Sequence, residues 1–197
     1  MSKAVLISIR PKWCGLIASG EKTIEVRKTR PKLETPFKCY IYCTNSGRPL
    51  VYGDKPCAGG WTEAYTQTYG YSREEADKIW GVMNGKVIGE FVCDRIIDWH
   101  YIPDPDESAD PGSMAYDVLT VYGEKTGLEY DDFEDYGNGA PLFGWHISYL
   151  KIYDEPKKLS DFKRHDPTYD FAFFGEMDRT YSVSRPPQSW CYVEEIV

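Results

Sequence analysis

The sequence of 197 residues has few of the residues that metal and cofactor chemistry requires. It contains three histidines, His100, His146 and His165, and none stands beside cysteine or carboxylate at a metal-ligand spacing. No CxxC, HExxH, Walker, GxGxxG or GxSxG pattern occurs. This argues against zinc hydrolysis, P-loop phosphate chemistry and Rossmann-type hydride transfer. We therefore expect neither a metal nor a cofactor.

Long hydrophobic runs are also missing. The apolar stretch near the start, Ala4–Ile9, is too short for a signal-peptide core or a membrane span, so we expect no membrane partner. Six cysteines without a secretory leader predict reduced thiols in a cytoplasmic protein. Cys39 and Cys43 lie four apart on a predicted strand and fit core thiols better than zinc ligands.

Charged and aromatic residues are abundant, but each allows more than one interpretation. The net charge of −8 argues against a nucleic-acid partner, yet residues 1–50 carry ten Lys and Arg against three Glu, a balance of +7. The other 147 residues therefore carry −15. The acidic stretch 98–135 is either a solvated surface or a protein-interaction surface. The 15% of aromatic residues predicts a core of large rings or a surface that stacks flat ligands.

The pattern of apolar residues predicts an α+β fold. Strands are predicted at 4–9, 22–28, 37–44, 86–95, 142–153 and 189–195. Helices are predicted at 12–19, after the capping box of Ser72 and Glu75, and at about 114–122 and 127–136. Residues 154–187 read as an irregular connection. We predict one domain over 1–197, a small mixed β-barrel of about six strands with short flanking helices and an irregular plus helical insertion at about 45–85.

One constellation near the amino end combines charge with a helix-to-strand junction. In Gly20-x-Lys22-x-x-Glu25-x-Arg27, the glycine ends a helix and a strand follows directly. Strand alternation puts Thr23, Glu25 and Arg27 on one face, and the long Lys22 stem can reach the same place. A carboxylate between two cations can orient a ligand, whereas a surface salt-bridge ladder would do little.

This spacing resembles the G-x-K-x-x-E-x-R signature of the ASCH domain family, which has a PUA-like fold. The surrounding sequence is similar to the longer phage and bacterial members at 7–13, 87–91, 144–148 and 185–191. The resemblance implies a β-barrel with a cleft that binds RNA or modified nucleobases. It also implies that Lys22, Glu25 and Arg27 line that cleft, with Gly20 at the turn, and it implies no obligate protein partner.

Further cleft residues follow from their neighbourhood. Ser8, Arg10 and Trp13 are included because the first strand and helix should adjoin the signature. The complete predicted ligand-binding set is Ser8, Arg10, Trp13, Lys22, Thr23, Glu25, Arg27, Lys28, Arg30 and Trp145. In this set the arginines and Lys28 would hold phosphate, and a Trp or Tyr in the cleft would stack a base. For Trp145 a core ring is the default interpretation, and a stacking role requires that it face the cleft. On its strand, Trp145 shares one face with Phe143, Ile147 and Tyr149.

The alternative to binding is an enzyme acting on the same ligand. Some small members of the family are amidohydrolases that act on N4-acetylcytidine through a lysine and a threonine three positions apart, and others are proposed ribonucleases. Here Glu25 stands where that threonine would be. If the chain is an enzyme, Lys22 would be the nucleophile or acid-base group, and Glu25 would move protons or position a water. His146 could be a general base, but a structural hydrogen-bonded histidine is the favoured interpretation.

Overall fold

The computed structural model describes residues 2–46, 82–99, 123–128, 130–138, 140–165 and 180–196. The strands are β1 (Lys3–Ile9), β2 (Ile24–Arg27), β3 (Phe37–Cys43), β4 (Val87–Trp99), β5 (Leu142–Lys157), β6 (Lys163–His165), β7 (Thr180–Ser182) and β8 (Trp190–Glu194). The helices are α1 (Pro11–Ala18), α2 (Gly123–Thr126) and α3 (Tyr130–Gly137), with a 3-10 turn at Leu159–Asp161.

Six strands form one mixed sheet in the order β2-β5-β4-β3-β1-β8, and β6 pairs with β7 in a separate hairpin. β1 and β3 are parallel, because α1 and β2 connect them as a crossover. The remaining pairs in the sheet are antiparallel. This arrangement confirms the predicted fold class, an α+β protein with a six-stranded mixed sheet and short flanking helices.

The two ends of the sheet meet through side chains. Trp145 on β5 and Trp190 on β8 have ring centroids 6.0 Å apart. The indole nitrogen of Trp190 donates a hydrogen bond to Thr29 Oγ1 at 3.0 Å, just after β2. Arg27 at the end of β2 donates to the backbone carbonyl of Ser8 on β1. The sheet therefore curls into a barrel whose seam is made by side chains.

Both faces of the central strands are buried. The residues inside the curled sheet include Val5, Ile7, Ile9, Cys39, Ile41, Cys43, Phe91, Cys93 and Trp145, with Cys14 and Ile17 of α1 packed against them. The opposite face carries Ala4, Leu6, Tyr40 and Tyr42 against Phe162, Val183 and Val193. Burial on both faces explains why Ala4–Ile9 is apolar throughout. Cys39 and Cys43 are core thiols, as predicted.

The predicted elements hold with three corrections. β4 and β5 extend to Trp99 and Lys157, because their pairing continues past bulges from Val87 to Trp99. The predicted connection 154–187 contains the β6–β7 hairpin. Tyr149 leaves the face of Trp145, since a positive φ of 49° breaks the two-residue alternation and leaves its side chain 86% exposed.

Several predicted features lie outside the described residues. They are the helix after Ser72, the helix at about 114–122, most of the insertion at 45–85 and most of the acidic stretch 98–135. Within the described ranges, no helix is both long and apolar enough to cross a bilayer.

Gly89 marks a close approach between β4 and β5. A Cβ at this position would lie 2.5 Å from the backbone oxygen of Lys151 and 3.2 Å from the Cα of Ile152. We expect Gly89→Ala to lower the free energy of unfolding by about 1–3 kcal/mol, because strand backbone has to move. Urea denaturation measures this loss. The control is Gly123→Ala, whose added Cβ would meet its nearest atom at 3.8 Å. Equal stability of the two variants would contradict the close approach.

Candidate functional site

The backbone between α1 and β2 is shaped to turn Lys22 inward. Gly20 has a φ of +82°, which favours glycine, and its amide bonds to the carbonyl of Ile17. The amide of Lys22 then bonds to the carbonyl of Leu16 at 2.9 Å. β2 begins only at Ile24, so the two preceding residues do not follow strand alternation. As a result Lys22, rather than Thr23, joins Glu25 in the interior.

Lys22, Glu25 and Arg27 form a buried ion cluster. Glu25 Oε1 lies 2.8 Å from Arg27 Nη2, and its Oε2 lies 3.4 Å from Lys22 Nζ. The three residues are 2%, 5% and 7% exposed. The signature therefore places its two cations on either side of one carboxylate, as the sequence predicts, but in the interior rather than on an open surface.

Lys22 uses all three of its ammonium donors. Besides Glu25, it donates to the carbonyls of Ile24 at 2.8 Å and Thr126 at 2.7 Å. Burial lowers the pKa of Lys22, and the adjacent Glu25 opposes this shift. An ammonium committed to three acceptors holds α2 against β2, and this geometry favours a positioning role over that of a nucleophile.

The Nη1 and Nε groups of Arg27 are not fully used as hydrogen-bond donors by the described residues. Its Nη2 donates to Ser8 O at 2.6 Å and to Glu25, but its Nη1 reaches Ser189 Oγ only at 3.5 Å. Among the described residues, its Nε has no hydrogen-bond partner although it is buried. Because Arg27 lines the cleft, its weakly engaged Nη1 is the group to which a ligand could offer a better acceptor.

A cleft of about 590 Å³ opens beside this cluster. Its lining residues come from β1 and α1 (Ser8, Ile9, Arg10, Trp13), the signature (Lys22, Glu25, Val26, Arg27), the end of β3 (Thr44, Ser46), the α2–α3 region (Leu128, Asp132, Asp135, Tyr136) and the segment before β8 (Pro186, Pro187, Gln188, Ser189). The segment before β8 is fixed to β1, since Ser8 Oγ donates to the carbonyl of Pro187 at 2.7 Å.

Two aromatic side chains belong to the cleft. Trp13 lies under the ammonium of Lys22, with 5.3 Å between the nitrogen and the ring centroid. Tyr136 on α3 is 38% exposed. Burial raises the pKa of the Tyr136 phenol, and the charges of Arg27 and Glu25 also act on it, which places α3 close to the ion cluster. The cleft therefore combines a charged floor with two rings.

Six of the ten residues predicted for ligand binding line the cleft: Ser8, Arg10, Trp13, Lys22, Glu25 and Arg27. Thr23 does not, because its backbone pairs with Lys125 and Ile147. The ammonium nitrogen of Lys28 lies 5.2 Å from the ring centroid of Tyr136, and the guanidinium carbon of Arg30 lies 5.8 Å from the ring centroid of Phe143. These two cations are exposed outside the cleft.

The structure corrects the prediction that Trp145 belongs to the ligand-binding set. It is completely buried and packs edge-on against Phe37, with ring centroids 5.9 Å apart, as well as against Trp190. Its face of β5 points into the barrel because the sheet curls around it. Trp145 is therefore a core residue and not a stacking platform in the cleft.

His146 lies outside the cleft and has partners of its own. Its Nδ1 is 2.6 Å from Asp94 Oδ1 and 3.2 Å from Ser148 Oγ. Burial raises the pKa of Asp94, but the hydrogen bonds from His146 and Ser148 outweigh it and lower the pKa. Both contacts use the same ring nitrogen, so this is not the relay of a catalytic triad. In the described part of the chain, no three His, Cys, Asp or Glu side chains cluster as metal ligands.

The sequence interpretation missed the wall opposite the signature. Asp132, Asp135 and Tyr136 come from α3, more than a hundred residues from Arg27. Their spacing of three and four residues on a helix was the available signal for one shared face. The segment 186–189 lies within the range 185–191 that carries the family resemblance. Its place beside the cleft depends on hydrogen bonds to β1, which the sequence does not reveal.

Glu25 neutralises a site that holds two buried cations. We expect Glu25→Gln to lower the free energy of unfolding by about 3–5 kcal/mol, since Lys22 and Arg27 would then face each other without a carboxylate. The matched control is Glu21→Gln, because Glu21 is exposed and accepts a hydrogen bond from Ser19 Oγ at 2.8 Å. Urea denaturation at neutral pH compares them. Similar losses in both variants would contradict a buried cluster.

No protein-family model matches the sequence, and no curated protein matches it. Among solved structures, the chain is similar to the crystal structure of ASCH from Zymomonas mobilis, with 16% identity, a TM-score of 0.52, and 98% of this chain and 88% of that chain covered. Its Tyr-to-Phe and Ser-to-Ala variants, also 16% identical and matched over 98% of this chain, give TM-scores of 0.52 and 0.51 over 92% and 89% of their chains. At this identity the likeness concerns the fold. The chain therefore has the α+β fold of these ASCH structures, as the resemblance of its signature implies.

Proposed function

We propose that the cleft binds a nucleobase, presented either by RNA or by a free modified nucleoside. The observation that carries this proposal is Arg27, which lines the cleft and whose Nη1 makes, among the described residues, only a long bond of 3.5 Å to Ser189 Oγ. A base carbonyl or ring nitrogen would supply that acceptor, and the net free energy of a hydrogen bond to a charged group is about 1.5–3 kcal/mol.

The remaining cleft residues suit a flat heterocycle. Trp13 and Tyr136 bring aromatic rings to the lining of the cleft, and stacking of a base on an aromatic side chain contributes about 1–3 kcal/mol. Arg10 and Gln188 at the opening add polar groups. The volume of about 590 Å³ falls in the range of small-molecule sites.

Binding is favoured over catalysis because of Lys22. A nucleophilic or acid-base lysine needs a free pair of electrons or a proton directed at the substrate, whereas this ammonium donates to two carbonyls and to Glu25. Glu25 is likewise engaged by both cations. The residues that the amidohydrolase alternative would use are thus occupied in holding the floor of the cleft.

Arg27→Lys tests the carrying observation, because lysine keeps the charge but lacks Nε and the planar fork. We expect affinity for the bound nucleoside to fall about tenfold or more, which corresponds to one lost charge-assisted bond. Isothermal titration with the ribonucleosides, N4-acetylcytidine and short single-stranded RNA measures this. The control Arg30→Lys lies outside the cleft and should bind like the wild type. Unchanged affinity in a folded Arg27→Lys protein, or no binding by the wild type, would overturn the proposal.

Tyr136→Ala provides a second test that leaves the buried cluster intact. We expect affinity to fall about fivefold or more, since the stacking surface is lost. Tyr149→Ala is the matched control, because Tyr149 is the most exposed of the described large hydrophobic residues and does not line the cleft. Equal affinities of the two alanine variants would show that the bound ring lies elsewhere.

A further inference from the structure

We infer that Asp132 and Asp135 make the cleft select against phosphate, so that it takes an unphosphorylated nucleoside or base in preference to a nucleotide or an RNA strand. The inference rests on the proposed function, since it names the form of the ligand that the same cleft accepts. It goes further by assigning a specificity role to α3, an element outside the signature.

The first step is the charge of the floor. Lys22 and Arg27 are cations, but Glu25 lies between them at 3.4 and 2.8 Å, so the buried floor carries only one net positive charge. A phosphate dianion placed on Arg27 would also meet Glu25 at close range. Repulsion at that distance in a partly desolvated site weakens what Arg27 alone would provide for an anion.

The second step is the wall. Asp132, Asp135 and Tyr136 occupy positions i, i+3 and i+4 of α3, which share one helix face, and all three line the cleft. They share this lining with Arg27, Glu25 and Arg10. The two aspartates therefore face the space in which a ligand on Arg27 would lie.

The third step is the total charge. Among the described residues, the charged side chains that line the cleft are three cations and three anions: Arg10, Lys22, Arg27, Glu25, Asp132 and Asp135. A neutral cleft does not attract a polyanion. Arg27 Nη1, whose bond to Ser189 Oγ is 3.5 Å long, can still donate to a ligand, and an uncharged carbonyl or ring nitrogen accepts this bond without repulsion from Glu25 or the two aspartates. The site thus fits a neutral, acceptor-bearing ring.

The experiment compares matched pairs of probes. Affinities of the four ribonucleosides and N4-acetylcytidine are measured against the corresponding 5′-monophosphates for the wild type, Asp132→Asn, Asp135→Asn and the double variant. The control is the double variant Asp154→Asn/Glu155→Gln, which changes the net charge equally but on exposed positions of β5 away from the cleft.

We expect the wild type to prefer the nucleoside. In the Asp132/Asp135 double variant the ratio of nucleotide affinity to nucleoside affinity should rise about five- to tenfold, and this rise should shrink at high salt. The control should keep the wild-type ratio. A wild type that binds both forms equally, or a ratio that does not change in the double variant, overturns this inference alone. Absence of binding to every probe overturns the proposed function, and the inference with it.

Discussion

The contact between Glu25 and its two cations is the constraint on which the cleft depends. Through Lys22 it holds the carbonyl of Thr126 and hence α2, and through Arg27 it holds the carbonyl of Ser8 on β1. Three separate parts of the chain thus converge on one carboxylate. Buried charges of this kind are expensive to desolvate, and each is stable here only because the others and several backbone carbonyls surround it. The floor of the cleft is thus held from three sides, and Arg27 Nη1 makes only a long bond among the described residues.

The curl of the sheet decides which residues reach that floor. Trp145 and Trp190 fill the interior between β5 and β8, so the tryptophan that looked suited to stacking is committed to the core. The same curl brings Arg27 at the end of β2 against Ser8 on β1, and the segment before β8 follows because its backbone pairs with Ser8. The same curl of the sheet therefore both packs the core and brings the residues of the cleft together. The rings left for a ligand, Trp13 and Tyr136, stand on helices at the rim.

The distribution of charge changes meaning between the linear and the folded chain. The basic excess of residues 1–50 favoured phosphate binding, but its members are spread over different surroundings. Arg27 and Lys22 are neutralised in part by Glu25, and Lys28 and Arg30 lie on aromatic rings outside the cleft. Acids from a distant helix complete the wall. A sum over sequence positions therefore overstates the attraction that this cleft offers to an anion.

The sequence by itself determined the six strands of the main sheet, the first helix and the charged floor of the cleft. Its apolar runs and alternation located all six strands of the main sheet, the doubly buried β1, the helix after Pro11 and the junction at Gly20, because these depend on local backbone preferences and on the period of side-chain burial. It also placed Lys22, Glu25 and Arg27 together, since they are close in the chain. Only the tertiary structure decided that Trp145 faces inward, that a bulge turns Tyr149 to solvent, and that α3 supplies Asp132, Asp135 and Tyr136 to the cleft. Those outcomes follow from the curl of the sheet and from contacts across a hundred residues, which no local pattern encodes.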